Sequence, residues 1–206
     1  MTKVEACALR GGALLSGWSN RPLCRRYILG IFDVVVVRSR DADGCRDHPV
    51  HWAIGWLPDG ECDFLGAWIE PESGCEGPHQ MFADLKRRGV ERIWHVTGTG
   101  AGHLGERASA AFPGTTFHSS VDQVLTDALA TSRRRVPLSP GLAAEQVRED
   151  LARAVRRRGG FESGAAVLDF VASALQRTER RLDRGGVIAK VRPRQDRGAQ
   201  MASPSF

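Results

Sequence analysis

An aspartate inside an apolar run is the first residue whose chemistry needs explaining. Asp33 lies within Tyr27 to Val37, YILGIFDVVVV, a β-branched stretch that reads as a buried strand. An ionised carboxylate is costly there unless something binds it or pairs with it. Strand alternation puts Asp33 on the face of Ile31, Val35 and Val37. Two readings stand side by side: a metal-ligating carboxylate, or a buried aspartate satisfied by backbone or by an arginine. The glycine-rich turn at 98–102 is a second feature, because backbone N–H groups entering a helix can hold a phosphate. It has neither the lysine nor the spacing of a phosphate-binding loop. Cysteines stand at 7, 24, 45, 62 and 75, an odd number with no C-x-x-C pair. The nearest Cys–His approaches are Cys45 with His48 and Cys75 with His79, poor spacing for zinc. Free thiols in a reducing compartment are the expectation.

Charge supplies the other chemistry. Residues 1–132 carry 13 Lys/Arg against 16 Asp/Glu, and residues 133–206 carry 16 against 8. A basic C-terminal part beside a mildly acidic N-terminal part suits a polyanionic partner; the bland alternative is arginines on solvated helix faces. The candidates for phosphate contact are Arg133, Arg134, Arg135, Arg153, Arg156, Arg157, Arg158, Arg177, Arg180, Arg181 and Arg184. No apolar run approaches the roughly 18–20 residues of a membrane-spanning helix. No signal peptide is legible, so the expected compartment is the cytoplasm.

The elements that must position these residues follow from pattern. Residues 1–20 read as a loose leader. Strands are expected at Tyr27–Val37, Val50–Leu57 and Cys62–Ile69, with 39–49 as polar turn material and Pro58-Asp59-Gly60 as a tight turn. Residues 77–89 read as a helix stopped by Gly89. A strand at Arg92–Thr97, a helix at Gly102–Phe112, a strand at Thr115–His118 and a helix at Val121–Ala130 follow. After a joint at 131–141 come two helices, about 143–158 and 163–183. The first carries a stripe of Val147, Leu151 and Val155. The second carries Val167, Phe170, Val171, Ala174, Leu175, Thr178 and Leu182. Both are expected to pack on the sheet rather than to form a coiled coil. Residues 185–206 read as a flexible basic tail. A meander followed by alternating α and β is the ribonuclease-H-like order: a core at 21–132, completed by helices at 133–184.

Four stretches resemble mutator-family bacterial insertion-sequence transposases: Pro22 to Arg38; HWAIGWLPDGECDFLGAWIEPES (51–73) with FADLKRRGVERI (82–93); VTGTGAGHLGERASAAFPGT (96–115); and EQVREDLARAVRRRGGFESGAAVLDFVASAL (145–175). The resemblance implies a ribonuclease-H-like fold and an Asp–Asp–Glu triad that holds Mg²⁺ for cutting and rejoining DNA. Two such ions activate the nucleophile and stabilise the leaving oxygen, and a hard cation takes carboxylate ligands. By position the triad maps to Asp33, Gly98 and Glu145, the last counted back from Phe161. Read from its helix alone, Glu145 is an exposed first-turn glutamate favoured by the helix dipole.

The sequence departs from the family pattern at several points. Gly98 stands where the second aspartate is expected, and Glu106 is the next carboxylate, on a helix. Ser120 and Gln123 stand where the family has a Cys and a His. The long helical insertion before the Glu, and the DNA-recognition region ahead of the core, are missing from this sequence. The expectation is a transposase-derived protein without strand-transfer activity that retains DNA binding, with Mg²⁺ as cofactor only for any activity that remains. Two alternatives are an active metal-dependent transposase or nuclease, and a protein-interaction or homo-oligomeric platform. In the last, Trp18, Trp52, Trp56, Trp68 and Trp94 would be anchors; core or half-buried strand positions for Trp52, Trp56 and Trp68 are the competing expectation.

Overall fold

In the computed structural model, which describes residues 17–41, 44–69, 77–99, 103–128 and 140–184, the chain alternates as the pattern implies. The order is β1 (Arg26–Asp41), β2 (Gly44–Trp56), β3 (Cys62–Ile69), α1 (Gly77–Arg87), β4 (Arg92–Gly98), α2 (Leu104–Ala111), β5 (Thr116–His118), α3 (Val121–Ala128), α4 (Pro140–Arg158) and α5 (Gly164–Arg184). The sheet runs β3-β2-β1-β4-β5. β1, β2 and β3 pair antiparallel, whereas β4 and β5 run parallel to β1. This is the ribonuclease-H-like arrangement. It places the middle of β1 beside the C-terminal end of β4.

Residues 39–49 correct the sequence reading. Residues 39–41 and 44–49 are not turn material but the arms of a long β1–β2 ribbon, paired out to Asp41 opposite Gly44, with 42–43 outside the described residues. Their polarity suits a two-stranded ribbon because the partners are across the strands. Arg38 donates to both Asp47 oxygens, Ser39 Oγ meets His48 Nε2 at 2.7 Å, and Arg40 Nε donates to Cys45 Sγ at 3.4 Å. The turn at Pro58-Asp59-Gly60 forms as expected, with Gly60 at φ 89°. α2 starts at Leu104 rather than Gly102. Pro140 and Gly141, read as joint, form the first turn of α4, where proline is tolerated because its missing N–H would have no helical partner. The rest of the joint, 131–139, the tail 185–206 and leader residues 1–16 lie outside the described residues.

The sheet separates two packed layers. On one face Leu29, Ile31, Val37, Val50, Trp52 and Ile54 meet Val147, Leu151, Val167, Val171 and Leu175 of α4 and α5. On the other, Phe32, Ala53 and Leu65 meet Met81, Phe82 and Leu85 of α1 and Leu104, Ala108 and Phe112 beyond it. Gly30 and Gly55 lie opposite each other across β1 and β2, and a Cβ on Gly55 would sit 2.6 Å from the Tyr27 ring. Gly55 leaves room for that aromatic in the second layer, and Gly30 for the Phe32 ring, 2.8 Å from where a Gly30 Cβ would stand.

Helix ends are set by local chemistry. Gly89, at φ 103°, closes α1: its N–H reaches Lys86 O and Val90 N–H reaches Leu85 O, a Schellman pair. Ser163 caps α5 through its Oγ on Ala166 N–H. Leu65 is the extra residue where the β2–β3 register shifts. Its carbonyl accepts from Arg88 Nη1, and a Cβ on Gly66 would press on that same nitrogen. Arg21 holds the other end of this edge, donating to Phe64 O at 2.8 Å and to Asp63 and Glu179, each at 2.7 Å. Trp18 is buried beside it, with Nε1 donating to Glu179. The end of the expected loose leader is therefore docked on β3 and α5.

Candidate functional site: a carboxylate centre and an arginine face

Asp33 sits on the α4/α5 side of the sheet, opposite Trp52 and 3% exposed. Every acceptor direction of its carboxylate is taken. Oδ1 accepts from Val34 N–H at 2.8 Å and from Thr99 Oγ1. Oδ2 accepts from Arg148 Nε at 2.8 Å and Nη2 at 2.5 Å. The third guanidinium nitrogen, Nη1, donates to Glu145 one helical turn back on α4. Burial pulls the Arg148 guanidinium down, and hydrogen bonds and charge from Asp33, then Glu145, outweigh it and leave the group above its ordinary value. Asp33 and Glu145, nominated separately from the sequence, thus share one guanidinium, on elements 112 residues apart in the chain.

Gly98 lies beside this group, paired with Phe32 across β1 and β4. The strands close so tightly there that a Cβ on residue 98 would stand 2.0 Å from Phe32 O and 2.8 Å from a Leu104 methyl. Thr99 N–H donates to the same Phe32 carbonyl at 3.1 Å. Backbone therefore fills the position of the expected second carboxylate. Residues 100–102 of the glycine-rich turn lie outside the described residues. Glu106 points away, as expected, with its carboxylate on His103 Nδ1 at 3.1 Å. Ser120 and Gln123 serve α3 locally, Ser120 Oγ accepting from Gln123 N–H at 3.4 Å.

Sequence reading missed Arg148 and Thr99. Glu145 and Arg148 are spaced i,i+3, a visible sign that the glutamate has a cationic neighbour. Nothing in the sequence ties Arg148 to Asp33.

The candidate phosphate-binding arginines divide into groups. Arg133, Arg134, Arg135 and the Arg184 side chain lie outside the described residues. Arg153 and Arg181 are engaged with Asp150, a half-buried carboxylate that also receives Gln146 and Thr178 and joins α4 to α5. Arg158 stacks over Phe161 at 5.6 Å and Phe170 at 5.4 Å, and Arg177 covers Phe170 at 5.9 Å. Arg156, Arg157 and Arg180 are exposed and have no ion-pair partner among the described residues. Among the described residues these three have no acidic partner to give up, whereas Arg153 and Arg181 are ion-paired and Arg158 and Arg177 are stacked on rings.

The tryptophans are unsuited to anchoring a partner: Trp18, Trp52 and Trp56 are buried, and Trp68 donates to Asp84 at 3.2 Å. Trp94 is half-buried beneath the Arg92 guanidinium. Cys24, Cys45 and Cys62 form no disulfide, and Cys7 and Cys75 lie outside the described residues. Among the described residues, no three His, Cys, Asp or Glu side chains gather as metal ligands. No helix of the described residues is long and apolar enough to cross a membrane. A groove of about 270 Å³ is lined by Asn20, Trp68, Arg88 and Asp84, the last already bonded to Trp68 and Arg88.

The sequence profile described as "Transposase, Mutator family" matches residues 12–137, and its match ends before α4. A probable transposase for insertion sequence element ISRM3-like from Sinorhizobium fredii (strain NBRC 101917 / NGR234) is 30% identical over 149 residues, 71% of this chain and 37% of that protein. The transposase for insertion sequence element ISRM3 from Rhizobium meliloti (strain 1021) is also 30% identical over 149 residues, with the same coverage. A probable insertion-sequence transposase from Corynebacterium diphtheriae is 28% identical over 127 residues. The chain spans 37% of the length of these curated relatives. Among solved structures, a chain of the simian T-cell lymphotropic virus intasome in complex with PP2A regulatory subunit B56 gamma aligns over 75% of this chain and 50% of its own. Its identity is 13% and its TM-score 0.32, too loose a likeness to bear on the fold.

Proposed function

Because this chain belongs to the mutator family of transposases, we propose that it is a DNA-binding member of that family whose carboxylate centre does not carry out strand transfer. The observation that supports the second half is the approach of β4 to β1 at Gly98. The family chemistry asks for three carboxylates around two Mg²⁺ ions. Here the second position has no side chain, and a Cβ would overlap Phe32 O. The remaining carboxylates, Asp33 and Glu145, are both engaged by Arg148. A pair of hard cations needs several oxygen ligands each and carboxylate charge to hold them together. Two carboxylates whose oxygens already accept from one guanidinium, with no third carboxylate beside them, do not fit that requirement.

DNA binding is supported by the exposed, unpaired charge of Arg156, Arg157 and Arg180 on the α4–α5 hairpin. Such groups neutralise phosphates and release counterions, which gives affinity without reading sequence. The test uses the full chain. Fluorescence anisotropy with duplex DNA across a salt series is expected to show binding that weakens steeply as salt rises. Supercoiled plasmid incubated with Mg²⁺ or Mn²⁺ is expected to stay supercoiled. Absence of binding at low salt would remove the DNA role. Cleavage that disappears in Asp33→Asn would establish the active nuclease instead.

A further inference from the structure

We propose that Arg148 is the resident cation of the carboxylate centre: a guanidinium carried by α4 that pairs with both Asp33 and Glu145, fastens α4 to β1, and makes the docking of that helix independent of divalent metal. This deepens the reading above and rests on it only in taking Asp33 as no longer a metal ligand.

A carboxylate offers about four lone-pair directions. At Asp33, two on Oδ1 go to Val34 N–H and Thr99 Oγ1, and two on Oδ2 go to Arg148 Nε and Nη2. A metal ion could enter only by displacing one of these donors. The donors come from three elements: β1 itself, the residue that follows β4, and α4. Their convergence is therefore a property of the fold rather than of one flexible chain segment.

Charge gives the same answer. Asp33 is nearly fully buried, and a buried carboxylate needs a partner. Arg148 reaches it from a position where its own side chain is 45% exposed, so its solvation is only partly surrendered. The side of the guanidinium away from Asp33 is occupied by Glu145. A divalent cation placed among these carboxylates would lie against the positive guanidinium, which disfavours it further.

This assigns unequal roles to the two partners. Removing Arg148 strands a negative charge in the protein interior, whereas removing the charge of Asp33 leaves an arginine that can turn to water. Breaking a buried pair from the exposed side is therefore the more damaging change. It also uncovers carboxylates that an added cation could then use.

The test is thermal unfolding of the full chain in EDTA, MgCl₂ or MnCl₂, with no DNA present. Wild type is expected to melt at the same temperature in all three. Arg148→Ala is expected to melt about 5–10 °C lower in EDTA, and Mn²⁺ is expected to recover part of the loss. Asp33→Asn is expected to cost less than Arg148→Ala. The Asp33→Asn/Arg148→Ala double variant is expected to melt above the Arg148→Ala single and to be indifferent to Mn²⁺. If Arg148→Ala does not fold, Arg148→Lys keeps the charge but not the fork and is expected to lose part of the stability. A wild-type melting point raised by Mn²⁺ and not raised in Asp33→Asn overturns the proposal. So does an Arg148→Ala protein as stable as wild type in EDTA. Neither result depends on whether the protein binds or cuts DNA, so failure here is separable from failure of the functional reading.

Discussion

At Gly98 the backbone of one strand meets the carbonyl of another with nothing between. The van der Waals cost of a methyl group there cannot be relieved by a rotamer change, because the atom 2.0 Å away would be main chain. Gly98→Ala is expected to lose about 3 kcal/mol of stability in urea unfolding. Gly160→Ala, where no atom lies within 4 Å, should stay close to wild type. Gly98→Asp would rebuild the family's residue type but not its site; it should be less stable still and remain inactive on plasmid. A stable Gly98→Asp variant that cleaves DNA would contradict this. Asp63 gives a prediction of another kind. Burial raises its pKa above the usual aspartate value, partly countered by Arg21 and by the Tyr27 hydroxyl. The same burial, with the Asp63 charge, raises Tyr27 well above its own ordinary range. A raised carboxylate contributes stability that is fully present below its unfolded pKa and is lost as pH rises through the folded one. The penalty of Asp63→Asn is therefore expected to be largest at or below the ordinary aspartate pKa of about 4 and to shrink as pH rises above it. Urea unfolding of both proteins across that range checks it, and a penalty that grows with pH would show the opposite linkage.

Helices α4 and α5 show how the same residue type takes different work according to its neighbours. Arg181 pairs with Asp150 across the two helices, and Arg153 pairs with Asp150 and Glu149 along α4. Arg156, Arg157 and Arg180 keep theirs for solvent. Reversing Arg156, Arg157 and Arg180 to Glu is expected to weaken duplex binding by at least about tenfold at low salt. The salt slope should flatten by roughly 0.9 for each phosphate no longer neutralised, with little change in melting point. Arg153→Gln with Arg181→Gln is expected to do the reverse, lowering the melting point while leaving much of the binding. Anisotropy titrations and melts of the two sets decide it. The composition alone could not make this division, because it depends on which acidic side chain the hairpin brings alongside. The apolar stripe of α5 was legible, since helical periodicity dictates a face whatever the partner: Val167, Val171, Ala174, Leu175, Thr178 and Leu182 are buried, and Phe170 is half-buried under Arg158 and Arg177. The β1–β2 arms were not legible. Their side chains are polar on both faces, and polar alternation carries no period until the partner strand is in place.

For the whole molecule, sequence and structure agree where the information is local or periodic. Strand order followed from a meander succeeded by alternating elements, and the face of Asp33 followed from a period of two. Its surroundings did not. Arg148 lies 115 residues away, and only the closing of α4 over β1 brings the two together. The tryptophans illustrate the same limit: Trp52 and Trp56 are strand core as alternation suggests, whereas Trp18 is buried only because Arg21 and Glu179 hold its segment down. The two borders of the sheet have a further consequence. β5 is three residues long. β3 is interrupted at Leu65, whose carbonyl is held by Arg88, while Arg21 takes that of Phe64. A neighbouring polypeptide seeking an open ladder finds a stub on one side and, on the other, a kinked strand with two carbonyls already capped. Unprotected borders are where sheet proteins stack into aggregates. Among the described residues, two arginines and one bulge thus leave little of either border open to a further strand.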